Sequence, residues 1–257
     1  MHLPADATPD SLQQRAADRR RLRRAFNASL AAVLLLCVVL VAQPWLPVDA
    51  LAVGARDPAG LPGILSAPLL HGGWPHLAAN GIGLLLLGTL AGTVYPRATV
   101  RALPLLWLGS GLAAWLLGDA GSRHLGASGI THGLMFLVFV LGLLRRDRAS
   151  IAAGMIAFLF YGGMLLTILP QEPGVSWQSH LGGALGGVIA AFLLRRADPL
   201  PPRKLYSWEI EDALEAEAAD RDGLEPARPS DVPVLWHRPP PARGEVVPLR
   251  PRPPAQD

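Results

Sequence analysis

The sequence predicts an all-α polytopic membrane protein, a bundle of six transmembrane helices between disordered termini. Three observations predict it. Hydrophobic residues make up 51% of the 257 residues and charged residues 17%, where a soluble domain carries about 25% charge. The apolar residues fall into six long runs with most charges between them, and a spanning helix needs about 20 such residues. None of the runs alternates with period two, and hydrocarbon forces every backbone group to bond within the protein, so helices are the spanning form.

The elements follow in order. Residues 1–25 form a polar N-terminal segment that ends in an arginine cluster: Arg15, Arg19, Arg20, Arg21, Arg23 and Arg24. The spans are predicted over residues 26–45, 74–95, 100–118, 128–144, 149–169 and 177–194, within a membrane domain of residues 26–196. The first run reads as a span and not as a cleaved signal peptide. Its apolar stretch is long, and no clear small-x-small site follows it. Residues 197–257 are rich in Pro, Arg, Asp and Glu and are expected to be a disordered cytoplasmic tail, with a short acidic helix over 208–219 and a proline-rich end from Pro226. The single cysteine, Cys37, lies inside the first run. It excludes an intramolecular disulfide and reads as a small apolar packer.

Lys and Arg in short loops set the orientation. The N-terminal cluster, Arg97 with Arg101, the trio Arg145, Arg146 and Arg148, and the pair Arg195 and Arg196 alternate with loops holding only Arg56 and Arg123. Both termini are therefore expected in the cytoplasm. The same distribution excludes nucleic acid as a partner, because the arginines flank apolar runs instead of forming one stripe.

Ionisable groups inside spans are costly and mark function. The candidates are His76, His132 and His180, with Asn80 as a strongly polar neutral group. The second, fourth and sixth spans all run from outside to inside. His76, Asn80, Ser128, His132 and His180 therefore all fall near the outer side, from three separate helices. His76 and Asn80 are four apart and share a helical face. Ser128 lies in Gly126-Ala127-Ser128-Gly129 at a helix start, where backbone N–H groups are unpaired and the helix dipole favours an anion. His180 is followed by Gly183 and Gly187, a face that lets two membrane helices approach closely. These parts make a nucleophile, a base and donors for an oxyanion. None of the six spans contains an acid; Asp119, in an outer loop, is the nearest by depth, so a dyad is expected in place of a triad.

At these residues the chain resembles the rhomboid family of intramembrane serine proteases. His76 to Asn80 is similar to the His-x-x-x-Asn motif of the family's second helix. Gly126-Ala127-Ser128-Gly129 is similar to its Gly-x-Ser-Gly motif, and the run from His180 through Gly183 to Gly187 to its sixth-helix pattern. The resemblance covers about residues 26–196. It implies a six-helix rhomboid-like bundle with Ser128 as nucleophile and His180 as general base. It also implies an oxyanion hole of His76, Asn80 and the Ser128 N–H. No metal or cofactor is implied. The implied partners are transmembrane protein substrates within a lipid bilayer, passing between the second and fifth helices, and the implied location is a bacterial inner (plasma) membrane.

Two positions depart from the family's pattern. Pro62 and Gly63 stand where many members carry Trp-Arg, which puts the anchoring of that loop in question. His132 stands where many members carry a tyrosine stacked on the catalytic histidine. It is a candidate to support His180, by stacking or a hydrogen bond, and a competitor for the role of base. The run Ser128-Gly129-Ile130-Thr131-His132-Gly133 resembles the rhombosortase branch. His71 reads as a structural loop residue, and His124 receives no role. The alternative readings are a catalytically inactive client-binding relative and a metal or solute transporter using His71, His76, His132 and His180.

Overall fold

The computed structural model describes residues 9–170, 174–199 and 207–222. The proline-rich end from Pro226 lies outside the described residues. Within the unit of residues 6–202 the order is α1 (Pro9–Ala42), α2 (Val48–Leu51), β1 (Val53–Gly54), α3 (Gly63–Ser66), α4 (Trp74–Val94), α5 (Pro96–Leu117), β2 (Arg123–His124), α6 (Ser128–Arg145), α7 (Arg148–Tyr161) and α8 (Trp177–Leu194). A 3-10 segment, Gly162–Ile168, continues α7. A further helix, α9 (Ser207–Asp222), belongs to a second unit and is four residues longer than the acidic stretch expected over 208–219. Among the described residues six helices are long and apolar enough to cross a membrane, so the chain is an integral, multi-pass membrane protein.

The boundaries differ from expectation where hydropathy and helix are not the same thing. The helix α1 begins at Pro9, far ahead of the apolar run, because the Arg-, Ala- and Gln-rich stretch before it is made of good helix formers. Gln14 donates to Asp18 one turn on, at 3.1 Å. The third span begins at Pro96 and not at residue 100, because Asp198 caps it. Its carboxylate accepts from the N–H groups of Arg97 and Ala98, each at 2.9 Å, where an anion also meets the positive end of the helix dipole. Arg145 ties the same segment down by donating to the Asp198 carbonyl at 2.8 Å.

The helices α6 and α8 form the centre of the bundle. In their most apolar windows 61% and 56% of residues are buried, against 17% in α1 and in α7. The helix α8 packs on α5 by one face and on α6 by another. Glycine spacing explains both. Gly182 and Gly186 lie against backbone of Gly109 and Leu105, and Gly183 and Gly187 lie against the carbonyls of Gly129 and Gly133. Any Cβ at Gly183 or Gly187 would overlap those carbonyls, so the contact is backbone on backbone.

The two ends of the bundle differ. The end where α4, α6 and α8 finish holds the main apolar core, with Leu87, Tyr95, Leu106, Leu134, Met135, Leu137, Val138 and Leu141. The end where they start holds the polar groups. Over it lies the loop between α1 and α4, whose β1 pairs antiparallel with β2, Val53 opposite His124. Two tryptophans of α5 anchor this loop. Trp107 donates to the Ile64 carbonyl at 3.1 Å and Trp115 to the Asp57 carbonyl at 2.8 Å. Gly63 presses against the Ala52 backbone. At the site of the Pro62 and Gly63 departure, anchoring thus comes from α5 and close backbone contact.

Candidate active site

Ser128 is the first residue of α6 and His180 lies in the first turn of α8. The glycine contacts between these helices bring the two side chains together. The Ser128 hydroxyl is 2.9 Å from His180 Nε2, and His180 Nδ1 is 3.0 Å from the Thr167 carbonyl oxygen. A carbonyl can only accept, so Nδ1 carries the proton and Nε2 presents its lone pair to the hydroxyl. That is the tautomer a base needs. His180 is 7% exposed, and Ser128 is half-buried. Gly126 has φ +117°, a conformation that favours glycine, and it turns the chain into α6 just before the serine.

His132 lies one turn below Ser128 in α6. Its ring stacks on that of His180, with centroids 3.9 Å apart and planes 14° apart. Its Nδ1 is 2.7 Å from the Ser128 carbonyl and its Nε2 is 2.8 Å from the Thr167 hydroxyl. Both nitrogens are occupied, and neither is bonded to the serine hydroxyl. The arrangement fits support of His180 and not the role of base.

His76 and Asn80 share one face of α4. Gly72 N–H donates to His76 Nδ1 at 3.3 Å, which leaves Nε2 as the protonated nitrogen. A Cβ on Gly126 would meet His76 Nε2 at 2.9 Å and Asn80 Nδ2 at 3.6 Å. Both donors therefore converge on the backbone beside Ser128. Asn80 is buried, and its Nδ2 has no hydrogen-bond partner. A buried donor without an acceptor fits a group held ready for one. The Ser128 N–H is a third free donor at this helix start, since the first N–H of α6 to bond to the backbone is that of Ile130, to the Ala127 carbonyl at 3.0 Å.

These groups open on a cavity of about 970 Å³, lined by His76, Asn80, Ser128 and His180 together with Asp119, Ser122, His124 and Gln178. Asp119 lines it without bonding to His180, whose Nδ1 is taken by Thr167. For a metal-binding reading, His132 and His180 are both committed at each nitrogen, and the described residues hold no group of three or more His, Cys, Asp or Glu placed to hold a metal ion.

Two participants, Thr167 and His124, were not found from the sequence, and a third, His71, was read only as a structural loop residue. Thr167 holds both His180 and His132, the first through its backbone carbonyl. His124, assigned no role from sequence, bridges two elements: its Nδ1 is 2.7 Å from the Ser176 hydroxyl, the N-cap of α8, and its Nε2 is 2.8 Å from the Ser122 hydroxyl. Burial lowers its pKa, and Asp119 opposes that shift. His71, expected in an outer loop, is fully buried. Its backbone is clasped by Gln43 through two bonds of 2.9 Å, and its Nε2 accepts from the Ala127 N–H at 3.5 Å. Burial and the neighbouring His76 lower its pKa to about 4.

Comparison with known proteins places the chain in a family. A family model, the Rhomboid domain, matches residues 59–197. The chain is 44% identical over 143 residues to uncharacterized protein Rv1337 of Mycobacterium tuberculosis and to uncharacterized protein Mb1372 of Mycobacterium bovis. It is 41% identical over 140 residues to uncharacterized protein ML1171 of Mycobacterium leprae. The matches cover 52% of this chain and 60% of each of the first two relatives, and 51% and 55% for the third. A family match over more than half the chain, on a six-helix membrane bundle that pairs a helix-start serine with a histidine, shows that the chain belongs to the rhomboid family of intramembrane serine proteases.

Proposed function

We propose that this chain is an intramembrane serine endopeptidase that cleaves membrane proteins in or near their transmembrane segments through a dyad of Ser128 and His180. The observation that carries the reading is the 2.9 Å contact of the serine hydroxyl with His180 Nε2, on a ring whose Nδ1 proton is held by a backbone carbonyl. His180 takes the hydroxyl proton as Ser128 Oγ attacks the scissile carbonyl. The oxyanion that forms is met by Asn80 Nδ2, His76 Nε2 and the Ser128 N–H. The imidazolium then gives its proton to the leaving amine, and the acyl-enzyme remains on Ser128. Water from the polar cavity loses a proton to His180 as its oxygen attacks the acyl carbon, and the imidazolium returns that proton to Ser128 Oγ as the ester bond breaks and the acyl group leaves as the acid. Serine, histidine and amide donors supply the whole cycle, so this reading requires no metal or cofactor.

The arginine bias of the loops supports a cytoplasmic location for both termini, in a bacterial inner membrane. The site then lies toward the outer face, and its substrates are membrane proteins with a cleavable segment near that face. The test is cleavage of a reporter with one transmembrane segment in cells or proteoliposomes. Ser128→Ala is expected to abolish cleavage with unchanged expression, and full retained cleavage would refute the assignment.

A further inference from the structure

We propose that Thr167 is the positioning residue of this site: through two different atoms it holds both rings of the His132–His180 stack, at the place a triad would give to an acid. The proposal rests on the reading of Ser128 and His180 as a hydrolytic dyad and says what keeps that dyad aligned. The two bonds are geometrically independent. The Thr167 carbonyl accepts from His180 Nδ1 at 3.0 Å, and the Thr167 hydroxyl meets His132 Nε2 at 2.8 Å. With the two rings stacked at 3.9 Å, a single residue fixes one edge of both.

The proton count follows from the partners. His132 Nδ1 faces the Ser128 carbonyl at 2.7 Å and therefore carries a proton. In the neutral ring Nε2 is then an acceptor, and Thr167 must donate to it. The hydroxyl has one alternative acceptor, the Met164 carbonyl at 3.0 Å. Turned that way it would instead receive a proton from Nε2, the pattern of an imidazolium. The rotation of one hydroxyl thus matches the charge of the ring that lies on the base. A neutral His132 leaves His180 free to take up charge during catalysis, whereas a charged ring at stacking distance would oppose it.

The location adds a consequence. Thr167 sits in the 3-10 segment Gly162–Ile168 that ends α7, and α7 is among the least buried of the spanning helices. Displacement of that end moves the acceptor of His180 and the donor of His132 together. Catalytic alignment is therefore tied to the position of α7.

The experiment compares Thr167→Val, which removes the hydroxyl and keeps the carbonyl, with Thr167→Ser, which keeps both. Each is made in the parent chain and in a His132→Phe background, and kcat and KM are measured on a transmembrane reporter. Thr167→Val is expected to lower kcat about 10-fold, the size of one lost hydrogen bond, with KM unchanged. Thr167→Ser is expected to stay within about 2-fold of the parent. In the His132→Phe background Thr167→Val should add nothing, since the bond it removes is already gone. Parent-like kcat in Thr167→Val, or equal losses in both backgrounds, would overturn the proposal. A second readout does not depend on activity. The ¹⁵N shift of His132 Nε2 should move in Thr167→Val and hold in Thr167→Ser; an unmoved shift overturns the proposal. A moved shift in a chain that cleaves nothing would count against the hydrolytic reading and in favour of Thr167.

Discussion

The imidazole of His132 lies flat on that of His180, 3.9 Å between centroids, while its two nitrogens reach the Ser128 carbonyl and the Thr167 hydroxyl. One ring thus touches His180 by its face and the Ser128 backbone by its edge. It restrains His180 without competing for the serine proton. Aromatic stacking contributes about 0.5–1.5 kcal/mol, and the edge bonds add to it. His132→Ala is expected to lower kcat/KM by roughly 10- to 100-fold, and His132→Phe, which keeps a stacked ring, by less. Both should remain more active than His180→Ala. Steady-state cleavage of one reporter by the three variants checks the order.

Asn80 presents a buried amide nitrogen without a partner, beside His76 Nε2 and under Gly126. A donor that gains its acceptor only as charge develops should act on kcat more than on KM. Asn80→Ala is expected to reduce kcat about 10²- to 10³-fold, as for a single oxyanion donor, with little change in KM. Comparable losses in both parameters would instead mark Asn80 as a substrate-binding group.

Backbone contact between α6 and α8 makes the active-site spacing depend on two glycine pairs. A Cβ at Gly183 would run into the Gly129 carbonyl, while one at Gly163 would meet nothing within 4 Å. Gly183→Ala is expected to lower the melting temperature in detergent by several degrees, on the order of the 1–3 kcal/mol that overpacking costs, and to abolish cleavage. Gly163→Ala should leave both near parent values. Thermal unfolding of the purified variants measures the difference.

His71 makes stability depend on pH. Its folded pKa of about 4 lies below its ordinary 6.5, so between those values the unfolded chain binds a proton that the folded chain refuses. The neutral buried ring therefore contributes stability that is present above pH 6.5 and lost as pH falls toward about 4. The loss is roughly 2 kcal/mol by pH 5. Melting temperatures at pH 7.5 and pH 5 should fall further in the parent than in His71→Gln, which cannot titrate. Equal falls would remove His71 as the source.

Much of this was legible in the sequence, for a physical reason. A histidine or asparagine within an apolar run is expensive, and arginines beside a run give its direction, so His76, Asn80, Ser128, His132 and His180 could be assigned to one end of three helices before any coordinates. The spans at 74–95, 128–144 and 177–194 match α4, α6 and α8 to within a residue, because glycine, polar residues and arginine bound them. Thr167 was not legible. It holds His180 through a carbonyl oxygen, which every residue has, and a threonine in an apolar run costs little. The burial of His71 and the role of His124 were missed because both come from long-range contacts: the clasp of Gln43 on His71, and the pairing of β1 with β2 beside His124. The starts of α1 and α5 were misplaced because hydropathy sees neither a polar helix nor a cap supplied by Asp198, 101 positions from Arg97.

The central claim is that His180 turns Ser128 into a nucleophile, and covalent labelling measures that most directly. Purified parent protein is treated with a fluorophosphonate probe, and the adduct is mapped by mass spectrometry. The account predicts a single adduct on Ser128, lost in Ser128→Ala and in His180→Ala and retained, at a reduced rate, in His132→Phe. Labelling that survives His180→Ala but disappears in His132→Phe would contradict it, as would an adduct on any other serine.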